Sequence, residues 1–193
     1  MFVSPLPDLP QDQMAEVLDH VHKAKINVTE ELMLERLSDR YRWPQYYNTG
    51  APTVERIVGD DGLKAQDFFC NDRHIDRNKF LDYYNQGYTF VISGVQYLFN
   101  DITNLTIYLS NIWDTEINAN IYISKGKKVV SYPYHNHHYS VIIKNIYGKS
   151  KWLINDQDRV LENQDIFYVP KEMMHGVKEI EDLKLSITFN LHS

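Results

Sequence analysis

The chain has 193 residues, 43% apolar and 24% charged, a composition that supports a folded core and excludes an intrinsically disordered chain. With 20 Lys and Arg against 26 Asp and Glu, its net charge of −6 argues against general electrostatic binding of nucleic acid. The single cysteine, Cys70, excludes an internal disulfide and any multi-cysteine metal site, so a metal centre would have to draw on the eight histidines.

No apolar run reaches membrane-spanning length, and the first ten residues lack the basic start and apolar stretch of a signal peptide, so a cytoplasmic location away from membranes is expected. Met14, Val17, Leu18 and Val21 recur at helical spacing, and Asn27 with Glu30 suggests a capping box for a second helix running to Leu37. Residues 41–62, with Trp, Pro, Gly and paired Asp, read as an irregular connection. Helical spacing resumes at Phe80, Leu81 and Tyr84, and again at Val95, Leu98, Phe99, Ile102, Leu105, Leu109 and Ile112, with Gly87 and a short β-rich run at 88–92 between them. The first 115 residues therefore read as mostly helical.

After Trp113 the period changes from 3.6 to 2. Residues 117–124, 139–147, 151–155, 166–169 and 183–191 are rich in Ile, Val, Tyr, Phe and Thr, and Gly148 and Asn155-Asp156 sit at turns between them. Short strands at this spacing point to a small antiparallel sandwich or barrel. Cys70 reads as a buried small residue, and Trp152 as packing.

Three histidines fall within four residues. In an extended segment His135 and His137 leave the same face, their Cα atoms about 6.5–7 Å apart, while His138 points to the other. Two imidazoles on one strand supply half of a chelate, and His175, just beyond the strand at 165–169 and Pro170, is the candidate third ligand. Three ligands on one hemisphere of a metal leave positions open for substrate or oxygen.

From Asn118 onward the chain resembles the JmjC and cupin-like oxygenases, particularly the bacterial ribosomal oxygenases and the asparaginyl hydroxylase that inhibits hypoxia-inducible factor. Asn118-Ala-Asn-Ile-Tyr122 looks like the family strand before the first ligands, and His135-Asn-His137 occupies the place of its His-x-Asp/Glu motif. Gly148 and Trp152 fall at the spacing of the family's Gly-x-(basic)-(basic)-Trp hairpin. Residues 161–170 resemble its Leu-x-x-Gly-Asp-x-x-Tyr-(Ile/Val)-Pro run, His175 matches the distal histidine, and Ser186 to Asn190 looks like the closing strand. The resemblance covers roughly residues 75–191. It implies an α+β fold: a mainly helical N-terminal extension (1–74) packed on a C-terminal double-stranded β-helix, a cupin or jelly-roll barrel with leading helices (75–193). It also implies Fe(II) held by His135, His137 and His175, and hydroxylation of a C–H bond with 2-oxoglutarate as cosubstrate.

Three positions depart from the family pattern. His137 replaces the usual carboxylate, as in three-histidine cupin dioxygenases that do without 2-oxoglutarate. Ser150 stands where a Lys or Arg pairs with the cosubstrate's distal carboxylate, giving a neutral hydrogen bond in place of a charge-assisted one. Gln164 replaces a glycine before Asp165, a structural change. Lys149 and Lys151 flank Ser150, and strand alternation aims both outward unless the register slips by one residue. Residues 120–155 hold Lys125, Lys127, Lys128, Lys144, Lys149 and Lys151 and no acidic residue. That suggests an anionic ligand or, on the bland alternative, a solvated strand face. Tyr122, Tyr132, Asn145, Ser186, Thr188 and Asn190 occupy positions where the family lines its cosubstrate pocket. The resulting expectation is an Fe(II)-dependent oxygenase of a small molecule, amino acid or peptide. A 2-oxoglutarate-independent dioxygenase and a non-catalytic metal-binding cupin remain the alternatives. The family's ribosomal members carry further regions after the barrel, whereas this sequence stops at Ser193, which favours a small substrate. The N-terminal helices would shape a peptide groove or a homodimer interface.

Overall fold

The structure is a computed structural model that describes residues 9–38, 53–57, 63–64, 67, 69–70, 75–126 and 132–192. Helices α1 (Gln11–Lys23) and α2 (Glu30–Ser38) come first, then strands β1 (Thr53–Ile57) and β2 (Leu63–Lys64), helix α3 (Arg77–Asn85), strand β3 (Thr89–Ser93) and helix α4 (Asn100–Trp113). Strands β4 (Ile117–Ser124), β5 (Ser140–Tyr147), β6 (Ser150–Ile154), β7 (Gln157–Leu161), β8 (Ile166–Val169), β9 (His175–Ile180) and β10 (Lys184–Leu191) complete the chain. No described helix is long and apolar enough to cross a membrane.

Several local expectations are corrected. Part of the expected irregular connection is strand β1, because the β-branched Thr53, Val54 and Ile57 fit a pleated surface that pairs antiparallel with β3. The stripe expected to form one helix from Val95 is split. Gly94, at φ 72°, starts a 3-10 turn at Val95–Tyr97, and α4 follows from Asn100. The cap of α2 is Thr29, whose Oγ1 accepts from the Leu32 N–H at 3.1 Å, as expected of a residue three positions before N3. Asn27 instead donates its backbone N–H and Nδ2 to Asp101 at 3.0 and 3.2 Å, and Glu30 accepts from the Tyr84 hydroxyl at 2.9 Å. Cys70 is exposed, one step along the chain from the buried Phe69, which bridges Ile75.

The strands form two antiparallel sheets, one of seven in the order β2-β1-β3-β4-β10-β5-β8 and one of three in the order β7-β6-β9. Strand β10 reads Lys-Leu-Ser-Ile-Thr-Phe-Asn-Leu, an alternation that would ordinarily put its polar residues in water. Here all eight positions are buried. Leu185, Ile187, Phe189 and Leu191 join Ile117, Ala119, Ile121 and Ile123 of β4 in the large core under the helices. The polar residues of the same strands face inward, between the sheets. A second apolar cluster, including Val141, Ile143, Trp152, Ile154, Val177 and Ile180, packs the facing side of the barrel.

Two turns secure the arrangement. The β6–β7 hairpin closes on Asn155 and Asp156 at φ 46° and 60°, both left-handed as a two-residue type I′ turn requires. Gly148, at φ 86°, lies so close to β10 that an added Cβ would meet Leu183 O at 2.1 Å and Lys184 Cα at 2.8 Å. Gln164 also adopts positive φ, 68°, the conformation a glycine supplies freely; its Nε2 donates to Ile146 O at 2.8 Å.

Candidate metal centre

The two elements that carry the histidines are tied backbone to backbone. The His135 N–H donates to His175 O at 3.0 Å and the His175 N–H donates to His135 O at 2.7 Å. This antiparallel bridge sets the two rings on one side with centroids 4.6 Å apart, and the i, i+2 spacing brings His137 to the same face. Gly176 permits the close approach, since a Cβ there would meet Tyr134 Cα at 3.2 Å. Tyr134 is itself held: its hydroxyl donates to Asp156 Oδ1 at 3.0 Å and accepts from the Asp156 N–H at 2.9 Å.

One potential ligand atom from each of His135, His137 and His175 falls within 4.8 Å of the others. The Nε2 atoms of His135 and His137 are 3.2 Å apart, close to the roughly 3.0–3.4 Å between two nitrogens each about 2.1 Å from a common ion. Carbonyls only accept, so Nδ1 of His135, 2.7 Å from Pro133 O, and Nδ1 of His175, 2.9 Å from Met173 O, must carry protons. In the neutral rings this leaves each Nε2 lone pair facing the cluster, the orientation that outer-shell carbonyls impose on metal-binding imidazoles. Burial, reinforced by His135 and His175, pushes His137 down to about 4. Burial also lowers His175, against the opposing effect of its bond to Met173. Three imidazoles fit a divalent transition metal, with Fe, Zn, Ni and Cu all compatible. His138 is exposed and packs edge-on against Tyr139.

The histidines border a cavity of about 540 Å³ between the sheets. Its polar side is built from the inward positions of β4 and β10: Asn118, Asn120, Tyr122 and Ser124, and Lys184, Ser186, Thr188 and Asn190. A chain of hydrogen bonds crosses these strands. Asn190 Nδ2 donates to Asn118 Oδ1 at 2.7 Å, and Asn118 Nδ2 donates to His192 Nε2 at 2.8 Å. The His192 ring contacts Tyr139 at 4.3 Å, and Tyr139 stacks on His137 at 4.7 Å and 7°. Trp152, Val177 and Ile180 supply the apolar side.

The cavity therefore brings Tyr122, Tyr132, Ser186, Thr188 and Asn190 together with the histidines, but not the other expected positions. Asn145 spends its Nδ2 on Gly148 O and Glu162 O, at 2.6 and 2.8 Å. Ser150 faces inward and is fully buried, yet its hydroxyl accepts from Trp152 Nε1 at 2.9 Å, beneath the cavity lining. The β6–β7 hairpin keeps its register, and the bulge opposite Lys151 and Trp152 lies on β9, so Lys149 and Lys151 point outward, Lys149 toward Glu162 and Glu181 and Lys151 toward Glu179. The remaining described lysines of the 120–155 stretch also turn away. Lys125 pairs with Glu30 at 3.6 Å, while Lys144 donates to Val21 O and His22 O at 2.9 and 2.8 Å. Lys127 and Lys128 lie outside the described residues. Lining residues not foreseen from sequence include Lys184, His192, Gln96, Thr89 and Ser93. For Lys184 and His192 the signal was present: once Ser186 is placed inward, period 2 carries 184 and 192 to the same face.

No protein-family model and no curated protein sequence matches the chain. Among solved structures it is similar to YcfD, a ribosomal oxygenase from Escherichia coli, at 14% identity and a TM-score of 0.58, over 86% of this chain and 44% of that one. It is similar over shorter stretches to KdgF from Halomonas sp., at 23% identity and a TM-score of 0.36, over 40% of this chain and 70% of that one. A salicylate 1,2-dioxygenase from Pseudaminobacter salicylatoxidans is similar at 16% identity and a TM-score of 0.35, over 38% of this chain and 20% of that one. The chain thus spans less than half the length of the ribosomal oxygenase it matches over most of its own. At this identity the likeness is one of architecture: the chain has the α+β fold of the cupins, helices laid on a jelly-roll of antiparallel strands.

Proposed function

We propose that the protein is a non-haem Fe(II)-dependent oxygenase that hydroxylates a small molecule, an amino acid or a peptide, with 2-oxoglutarate as the cosubstrate. The observation that carries this reading is the convergence of three imidazoles at a polar-lined cavity, with Nδ1 of His135 and of His175 committed to backbone carbonyls. His135, His137 and His175 would hold the ion. Fe(II), when bound, supplies the redox chemistry that couples O2 to substrate oxidation. A 2-oxo acid balances the electrons: its decarboxylation to the shorter acid and CO2 provides two, and the C–H bond that becomes C–OH provides the other two. The chain's own residues bind and shape the surroundings. The Asn190–Asn118–His192–Tyr139 relay of contacts fixes the His137 ring, while Trp152, Val177 and Ile180 keep water from one side of the cavity.

The test is anaerobic loading with Fe(II), followed by titration with 2-oxoglutarate under visible absorption. A metal-to-ligand charge-transfer band in the wild type that is absent in His175→Ala supports the reading. Iron uptake without the band transfers support to a dioxygenase whose substrate itself ligates the metal, a reading favoured by the engagement of Ser150 with Trp152. Failure to bind iron removes the oxygenase.

A further inference from the structure

Among the described residues, one buried charged group faces the cavity without a hydrogen-bond acceptor. Lys184 opens β10 and points inward beside Ser124, its partner on β4, and it is 4% exposed. Its Nζ sits 4.6 Å from the ring centroid of Trp152, and among the described residues it has no hydrogen-bond or ion-pair acceptor. The contrast with Lys144 is informative. That second buried ammonium is fully employed, donating to the last-turn carbonyls of α1 at Val21 and His22. A cation that faces a confined cavity with only a ring face beside it has no counter-charge, an arrangement that favours an incoming anion. Burial pushes Lys184 down to about 7.

The surroundings specify the anion further. The lining near Lys184 is uncharged, built from Ser124, Tyr122, Ser186 and Thr89. Glu116, the acidic lining residue among those described, lies before the opposite end of β4. Thr53 and Thr188 also line the cavity with hydroxyls that are buried and unpartnered among the described residues. Trp152 pairs with Val177, two residues along β9 from His175, a step of about 6.5–7 Å. The ammonium and the histidines therefore sit at two depths of one cavity, a small molecule's length apart. Gly148 brings the Ser150 hairpin against the start of β10, so that a cation from β10 reaches the region where Ser150 offers none.

We infer that Lys184 anchors a carboxylate of a small organic acid bound in the cavity, with the acid's other end directed toward the three histidines. The inference rests on reading the cavity as the active site, and its test lets the two fail separately. The carboxylate belongs either to a 2-oxo acid cosubstrate or to the substrate itself, and both present the same group to Lys184.

The experiment measures binding of glutarate, 2-oxoglutarate and the uncharged glutaramide by calorimetry and tryptophan fluorescence, on chelator-treated and Co(II)-loaded protein. Wild-type protein without metal should bind glutarate and not glutaramide. Lys184→Met should weaken glutarate about 10- to 100-fold, the loss expected for one charge-assisted bond, and Lys184→Arg should restore part of it. Co(II) binding, read from its absorption, should be the same in Lys184→Met and wild type. Unchanged glutarate affinity in Lys184→Met, or no binding of either acid to wild type, overturns the inference. Lys184-dependent glutarate binding in a protein that takes up no Co(II) upholds the anchor and removes the oxygenase. A gain in 2-oxoglutarate affinity on loading Co(II), with none for glutarate, identifies the acid as a 2-oxo cosubstrate; equal affinities assign the carboxylate to the substrate.

Discussion

Replacing Lys184 with methionine should make the protein more stable. The variant keeps the length and most of the volume of the side chain while removing an ammonium that is buried and, among the described residues, has no acceptor. Its folded-state value near 7 against an ordinary 10.5 means that the unfolded chain binds the proton more tightly. A difference of 3.5 pKa units, at 1.36 kcal/mol each, gives about 4 kcal/mol of destabilisation at pH 7, after allowing for half-protonation of the native lysine. The contact with Trp152 offsets about 1–2 kcal/mol. Lys184→Met should therefore gain roughly 2–3 kcal/mol at pH 7 in urea unfolding followed by tryptophan fluorescence. The sign with pH follows from proton counts. Between about 7 and 10.5 the unfolded state holds the extra proton, so wild-type stability should rise with pH relative to the variant, by about 2 kcal/mol from pH 7 to pH 9. Below pH 7 the gap should stay constant. A variant less stable than wild type at pH 7, or a gap that does not narrow toward pH 9, would refute the reasoning and show that Lys184 is satisfied within the folded protein.

Three further substitutions probe what positions the site. Lys144→Met removes both hydrogen bonds to the end of α1 and should cost about 2 kcal/mol, with amide exchange accelerated in residues 11–23 before the barrel strands. Gly148→Ala adds a Cβ 2.1 Å from Leu183 O at φ 86° and should cost more than about 3 kcal/mol in chemical denaturation, since β5, β10 and the hairpin must part to admit it. Tyr134→Phe loses both bonds to Asp156, and should cost about 1–2 kcal/mol and weaken Co(II) binding through the neighbouring His135, an effect a distant surface tyrosine would not have.

The legible part of this fold was the part written in alternation. Residues 117–124 and 183–191 read as strands because Ile, Leu, Phe and polar residues alternate, and the His135/His137 pair follows from the same period. What alternation cannot say is what covers each face. The polar face of β10 faces a cavity and the apolar face lies beneath helices, so both are buried. The lysine-rich stretch misled for the related reason that charge on a strand carries no direction. Lys144 points to α1, Lys149 and Lys151 point to surface carboxylates, and among the described residues the lysine that lines the cavity is Lys184, outside that stretch. The cap at Thr29 was missed because Asn27 and Glu30 match a capping box in sequence, while their side chains are committed to Asp101 and Tyr84. His175 could be proposed because a histidine just past a strand can fold beside His135. The backbone bridge that joins them depends on tertiary pairing no local pattern records.

The most direct test is the metal itself. Chelator-treated protein titrated with Co(II) or Fe(II) under anaerobic conditions should bind one equivalent, and His135→Ala, His137→Ala and His175→Ala should each lose that binding while remaining folded by circular dichroism. Stoichiometric binding that survives removal of His175, or no binding by the wild type, would contradict a metal centre built from these three histidines.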